Sequence, residues 1–152
     1  MIINTMKSIL ICFFLLPLVL TKAHAQNPFL AIKYDSVVKY TYSPPHDSTY
    51  IIDKTGHLNP NVKSSARLDD AEVKDFNIRI GLKESYGGTQ AKCFMPHHAF
   101  VYYSKGIPVA DIVVCLSCNY FVSGLIVPAQ KEAKWKGMSH EFKQYVSNLA
   151  RK

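Results

Sequence analysis

The amino-acid sequence predicts an α+β fold, in which an antiparallel sheet of about four or five strands carries one packed helix and a second helix follows at the C-terminus. Three observations lead to this prediction. Two β-rich runs flank a short glycine turn, a segment near residue 70 carries the start signals of a helix, and the last segment is amphipathic with helical spacing. Strands and helices in separate stretches of a chain are typical of the α+β class.

The N-terminal third of the chain is predicted to supply the first strands. The run 29–42 is rich in tyrosine, valine and isoleucine, a composition that favours a strand. Pro44 and Pro45 end this run, because proline cannot donate a hydrogen bond to a strand ladder. A second short strand is predicted at 49–52, and the polar stretch 57–67 is expected to be irregular.

The centre of the chain predicts a β-hairpin. The runs 99–103 and 109–115 are rich in β-branched and aromatic residues, and they are separated by a segment that contains Lys105-Gly106. A two-residue turn with glycine at its second position is a common hairpin connection. Residues 121–127 are expected to add a further short strand.

Two helices are predicted from capping and periodicity. Asp69 is followed three residues later by Glu72, which makes a capping box for a helix over about 70–84. Ser139 is expected to cap the C-terminal helix. The apolar residues of that helix recur on one side; they are Phe142, Tyr145, Val146 and Leu149.

The N-terminus has the three parts of a secretory signal peptide. Lys7 provides the positive charge, 9–20 is the apolar stretch, and 23–25 places alanines at the two positions that a signal peptidase recognises. The apolar stretch is shorter than the 18 to 20 residues that span a bilayer. We therefore expect cleavage after Ala25, a single globular domain over 26–152 without a transmembrane segment, and a periplasmic or secreted location.

The net charge limits the classes of partner. The chain carries a formal charge of +7, and removal of Lys7 and Lys22 with the signal peptide leaves +5 for the mature part. No basic stripe alternates with aromatic residues, so nucleic-acid binding is not expected. The expected partner is a protein, an envelope component or a small ligand.

Three cysteines remain after cleavage, and they are predicted to meet at one end of the hairpin. With a two-residue turn, the numbers of facing residues sum to 211, so Ala99 would face Ile112 and Cys93 would face Cys118. Disulfides are the default state of neighbouring thiols in an exported protein. The first interpretation is thus a disulfide that joins Cys93 to Cys115 or Cys118 and clamps the hairpin.

Two other interpretations of this cluster remain open. Three thiolates and the imidazole of His97 or His98 would form a tetrahedral zinc site with Cys93, Cys115 and Cys118 as the sulfur ligands. Alternatively, Cys115 and Cys118 form a Cys-x-x-Cys pair for dithiol redox chemistry. Such reactive pairs usually lie at a helix N-terminus, whereas Cys115 is predicted to end a strand.

Four motifs in the middle of the chain carry a resemblance to known proteins. They are Ser85-Tyr86-Gly87-Gly88, Cys93-Phe94-Met95-Pro96-His97-His98, Cys115-Leu116-Ser117-Cys118-Asn119-Tyr120 and Ile126-Val127-Pro128-Ala129. In these motifs the chain resembles a family of small uncharacterised bacterial secreted proteins. The resemblance implies that the positions belong to one recurring unit, and it implies no activity.

The sequence favours a binding or structural module without catalytic activity over an enzyme. The Cys/His cluster is explained by a clamp or a zinc site, and no general acid or base is evident beside it. The alternative is a metal-dependent enzyme or a dithiol-redox enzyme that uses Cys93, His97 or His98, Cys115 and Cys118.

Overall fold

The computed structural model describes residues 27–44 and 49–151. These residues form seven strands: β1 (Ser36–Tyr42), β2 (Val62–Arg67), β3 (Tyr86–Gly88), β4 (His98–Ser104), β5 (Ile107–Cys115), β6 (Tyr120–Ser123) and β7 (Gly137–Met138). The helices of the same part of the chain are α1 (Pro28–Ala31), α2 (Asp70–Ile80), α3 (Pro128–Glu132) and α4 (His140–Arg151), with one 3₁₀ turn at Lys83–Ser85. The predicted signal peptide, Met1–Ala25, lies outside the described residues.

The α+β prediction is confirmed. Five strands form one antiparallel sheet in the order β2-β1-β4-β5-β6, and β3 pairs with β7 in a separate two-stranded sheet. Both faces of the five-stranded sheet are covered. Side chains of α2 and α4 pack with Phe100, Tyr102 and Ile112 on one face, and alternate residues such as Val101 and Val113 form a smaller core on the other.

The segment that follows β1 supplies the cover of this second face. Ile51 is fully buried in the smaller core with Tyr42, Val101 and Val113. The side chain of Asn59, also buried, donates to the carbonyl oxygen of Tyr50 at 3.0 Å and so holds the segment in shape. The predicted strand at 49–52 is not formed, and its only ladder contact in the described chain is an isolated bridge from Ile52 to Leu58.

The start of the predicted first strand also differs from expectation, whereas its end at Tyr42 is confirmed. Phe29 lies in α1, where Pro28 occupies the first helical position and the side chain of Asn27 accepts a hydrogen bond from the Phe29 N–H at 3.1 Å. Proline at the first helical position and asparagine before it are helix-start signals. The strand begins only at Ser36.

A further difference concerns the stretch 57–67, which was expected to be irregular. It contains the regular strand β2.

The predicted hairpin turn is confirmed, but the register beyond it differs. Lys105 and Gly106 both have positive φ, 53° and 78°, and Tyr103 faces Pro108 as expected. Val109 is then an extra residue in β5, because Tyr102 faces Ala110. Proline cannot donate to the ladder, and a bulge is the usual way to accommodate it. Every later pair is shifted by one residue, so Ala99 faces Val113 instead of Ile112.

Both predicted helix starts are confirmed. The Asp69 carboxylate accepts from the Glu72 N–H at 2.7 Å, and the Glu72 carboxylate accepts from the Asp69 N–H at 3.2 Å. The hydroxyl of Ser139 accepts from the Phe142 N–H at 3.3 Å at the start of α4. Helix α2 ends at Ile80, four residues before the predicted end. In the described part of the chain, none of the helices has the length and apolar character needed to cross a bilayer.

Candidate functional site

A disulfide joins Cys115 to Cys118 across the turn between β5 and β6. Cys115 is the last residue of β5 and pairs with Tyr120, the first residue of β6. The tight turn brings the two Cα atoms to 5.2 Å, within the usual range for a disulfide. Each of these cysteines is 1% exposed, so the bond is buried beneath the turn.

Hydrogen-bond donors surround the two sulfur atoms. The N–H of Cys118 donates to Sγ of Cys115 at 3.1 Å, and Oγ of Ser117 lies 3.3 Å from the same sulfur. The N–H of Met95 donates to Sγ of Cys118 at 3.4 Å. Donors in these positions stabilise negative charge on sulfur, so the turn is arranged to hold a thiolate if the bond opens.

Cys93 is an exposed free thiol in the structure, which corrects the prediction that it pairs with Cys115 or Cys118. The physical reason lies in the strand boundaries. β4 begins only at His98. The strand ladder therefore does not extend to Cys93, which lies five residues before the start of the strand, with Pro96 between them. Instead, the turn between β5 and β6 brings Cys115 and Cys118 together, and they form the disulfide. This turn was not predicted as a hairpin from the sequence.

The structure does not assemble the predicted zinc ligands. His97 is exposed, and its Nδ1 lies 3.3 Å from the carbonyl oxygen of Tyr42. His98 is half-buried, and its Nδ1 lies 3.5 Å from the hydroxyl of Thr41. Two of the three thiols are joined to each other, and among the described residues no three His, Cys, Asp or Glu side chains lie together as a metal site.

A second feature, which we call the basic pocket, lies on the helix-covered face of the sheet where α4 ends. Its volume is about 400 Å³. The residues that line it include three with basic side chains and three that carry a hydroxyl, namely Lys39, His98, Arg151, Thr41, Ser64 and Ser65. Among the described residues that line this pocket, none carries a carboxylate.

Strand register explains how these side chains converge. Thr41 of β1 faces Ser64 of β2 on one side and His98 of β4 on the other, which makes a polar row across three strands. Successive side chains alternate between the faces of a strand, so Lys39 lies on the same face as Thr41. The ammonium group of Lys39 donates to the carbonyl oxygen of Leu149 at 3.2 Å, which fixes it beside the last turn of α4.

The electrostatics of the basic pocket disfavour additional positive charge. Burial lowers the pKa of the His98 imidazole below its ordinary value, and the nearby charges of His97, Arg151 and Lys39 lower it further. A bound anion would oppose these positive charges and raise the pKa again. The pocket is therefore complementary to a negatively charged group.

Of the residues that line this pocket, only His98 was a candidate from the sequence, as a zinc ligand. A detectable signal was present in β1, where Val37, Lys39 and Thr41 share one face of the strand. Val37 is buried in the main core, so polar residues at the next two positions of that face break the core pattern. Polar residues at core-facing positions often mark function.

The fold and these two features define the chain as an α+β protein with a buried hairpin disulfide and a basic, hydroxyl-lined pocket. Comparison with protein-family models, with curated proteins and with solved structures finds no match. The resemblance to a family of small bacterial secreted proteins thus stays a prediction from the four motifs.

Proposed function

We propose that this chain is an exported, non-catalytic binding module that takes an anionic ligand in the basic pocket. The observation that carries the proposal is the convergence of Lys39, His98 and Arg151, from three different elements, on one concavity whose described lining residues include no carboxylate. The positive charges of Lys39 and Arg151 repel each other and disfavour the protonated form of His98, and a bound anion would offset that repulsion.

The dimensions and chemistry of the pocket indicate a small ligand with a phosphate, sulfate or carboxylate group. Ligand pockets usually enclose about 300 to 1,000 Å³, and this one lies near the lower end of that range. An ammonium, a guanidinium and the hydroxyls of Thr41 and Ser64 supply donors, which suits an oxyanion with several acceptor oxygens. The positive charge expected of the mature chain would draw anions toward it.

Two further observations support an extracytoplasmic role for the module. The N-terminal 25 residues have the pattern of a cleavable signal peptide. Disulfides are favoured in oxidising compartments outside the cytoplasm, and Cys115 and Cys118 form one. In this proposal the disulfide serves structure, because it fixes the β5–β6 turn beside the sheet that carries the pocket.

Sulfate is a suitable probe for the pocket, since its charge is constant over the pH range in which His98 titrates. We expect the amide resonances of Lys39, Thr41 and His98 to shift together when sodium sulfate is titrated into the folded mature chain at constant ionic strength. Arg151→Gln should weaken sulfate binding about tenfold, the effect of losing about 1.4 kcal/mol of charge-assisted hydrogen bonding.

Lys63→Gln is the matched control, because it removes the same charge from β2 at a residue that does not line the pocket. This variant should bind sulfate as the parent chain does. Equal weakening by the two substitutions would show a general effect of net charge, and shifts spread over the whole surface would contradict the proposed site.

A further inference from the structure

Cys93 lies at the middle of a short segment that is attached to Cys118 at both ends. The N–H of Ala91 donates to the carbonyl oxygen of Cys118 at 2.9 Å, and the N–H of Met95 donates to its sulfur at 3.4 Å. Phe94, between them, packs edge-on against Tyr120 with ring centroids 6.0 Å apart. The segment that carries the one free thiol of the described chain is thereby attached to the turn that carries the one disulfide of that part.

Chain geometry sets an upper limit on the separation of the reacting groups. The Cα of Cys93 lies no more than about 6 Å from the backbone nitrogen of Met95, because only one whole residue separates them. That nitrogen is 3.4 Å from Sγ of Cys118. The Cα of Cys93 is therefore within about 10 Å of this sulfur, and movement of the exposed segment around Cys93 can close the remaining gap.

We propose that Cys93 is an exchange thiol for the hairpin disulfide. Its thiolate attacks Sγ of Cys118, the Cys93–Cys118 bond forms, and the Cys115–Cys118 bond breaks with its electron pair on Sγ of Cys115. The proton that Cys93 released to solvent is returned to Cys115. One disulfide and one thiol are present before and after the step, so no external oxidant or reductant takes part.

The surroundings of the leaving sulfur favour this direction of attack. The N–H of Cys118 and the hydroxyl of Ser117 already lie at 3.1 Å and 3.3 Å from Sγ of Cys115, and both would stabilise the departing thiolate. The product bond also closes a longer loop, since Cys93 and Cys118 are 25 residues apart whereas the native pair is separated by 3. A bridge over a longer loop restricts the unfolded chain more.

The exchange would convert a bond within one turn into a bond between that turn and the segment that precedes β4. The exchange involves none of the residues that line the basic pocket. The test of ligand binding and the test of the disulfide exchange are therefore independent of each other.

Disulfide mapping of the Cys115→Ser variant tests the exchange partner directly. This variant keeps Cys93 and Cys118 as its thiols in the mature chain, and oxidised glutathione should convert it to an intramolecular Cys93–Cys118 bond. Trypsin cuts after Lys92, Lys105 and Lys131, so the new bond links peptide 93–105 to peptide 106–131. In the parent chain the native bond lies wholly within 106–131.

Cys118→Ser is the matched control, since it leaves Cys93 with the other sulfur. We expect it to form its cross-link at least tenfold more slowly than Cys115→Ser does. Equal rates, or a Cys115→Ser variant that yields only glutathione adducts, intermolecular dimers or free thiols, would overturn the proposal.

The parent chain provides a test that is independent of the folding of either variant. After incubation at pH 8.5 without reductant, the protein is quenched with N-ethylmaleimide and digested at mildly acidic pH. The exchange predicts a fraction in which the two peptides are linked and the maleimide is on Cys115. Maleimide on Cys93 alone, at every incubation time, would refute it.

Discussion

At the scale of single residues, two carboxyl groups of the sheet show opposite effects of their surroundings. Asp35 is exposed and accepts hydrogen bonds from the Lys105 N–H and the Ser36 hydroxyl, which lower its pKa below the ordinary value of 3.8. Asp111 is partly buried in β5, and this burial raises its pKa above 3.8, while the backbone N–H groups of Gly124 and Asp111 only partly offset the shift. The first carboxylate therefore stabilises the fold when ionised, and the second opposes it.

This contrast predicts opposite changes in stability for two identical substitutions. The folded-state pKa of Asp111 is raised, so ionisation of this carboxyl lowers the free energy of unfolding. This destabilisation is absent below pH 3.8 and develops as the pH rises through the folded-state pKa. Asp111→Asn should raise the melting temperature at pH 7, with a gain that shrinks toward pH 4. The folded-state pKa of Asp35 is lowered, so its ionised carboxylate raises the free energy of unfolding above pH 3.8. This stabilisation is lost as the pH falls through the folded-state pKa. Asp35→Asn should lower the melting temperature at pH 7.

Thermal unfolding at pH 7 and pH 4, followed by circular dichroism, checks both changes. Asp111→Asn uses the same change of side chain as Asp35→Asn, so each variant is the other's control. A shift of the same sign for both at pH 7 would contradict the assignment of their surroundings.

At the scale of elements, helix α2 depends on signals that lie close together in the sequence. Helix α2 begins where the Asp69 and Glu72 side chains satisfy each other's backbone N–H groups. Its buried residues Val73, Phe76 and Ile80 recur at helical spacing. Both features are contained within one short stretch of sequence, which is why the start of α2 could be predicted from the sequence.

Removal of the helix cap should be measurable. Asp69→Ala is expected to lower the free energy of unfolding by about 1 kcal/mol, the usual effect of losing an N-cap side chain. Asp70→Ala is the control, because Asp70 is also acidic and exposed in the first turn but does not form the capping box. Urea unfolding of the two variants measures the difference. Equal losses would indicate that charge at the helix start, and not the cap, stabilises α2.

One element that the sequence did not predict, β2, is fixed by a distant partner. β2 reads Val-Lys-Ser-Ser-Ala-Arg and is almost fully exposed, so it has no apolar alternation to detect. It is a strand because the backbone of β1 pairs with it.

The candidate site was only partly predictable for the same reason. Cys115 and Cys118 were recognised as a pair of interest, but their bond depends on a turn that forms only when β6 pairs with β5.

At the scale of the whole molecule, the sheet has two cores of unequal size. The larger lies under α2 and α4, and the smaller lies under the segment that carries Ile51. No regular helix or strand of the described chain covers the smaller core. Stability on that face therefore depends on a few buried side chains in an irregular segment.

This dependence predicts a large loss of stability from one substitution outside the regular elements. Ile51 is 0% exposed, and Ile51→Ala should lower the free energy of unfolding by about 2 to 5 kcal/mol through lost burial and a residual cavity. Ile107→Ala makes the same change at a residue that is 66% exposed, and it should stay within about 0.5 kcal/mol of the parent chain. Chemical denaturation compares them, and a small loss for Ile51→Ala would show that the segment is not part of the fold's cooperative unit.

The exposed strand β2 also bears on how copies of this protein behave together. β2 is an outer strand of the sheet, and such strands offer unpaired backbone groups to any neighbouring chain. Lys63 and Arg67 are exposed along it, so two copies that approached edge to edge would bring like charges into contact. The polar composition that leaves β2 without an apolar pattern in the sequence thus disfavours edge-to-edge pairing of two copies.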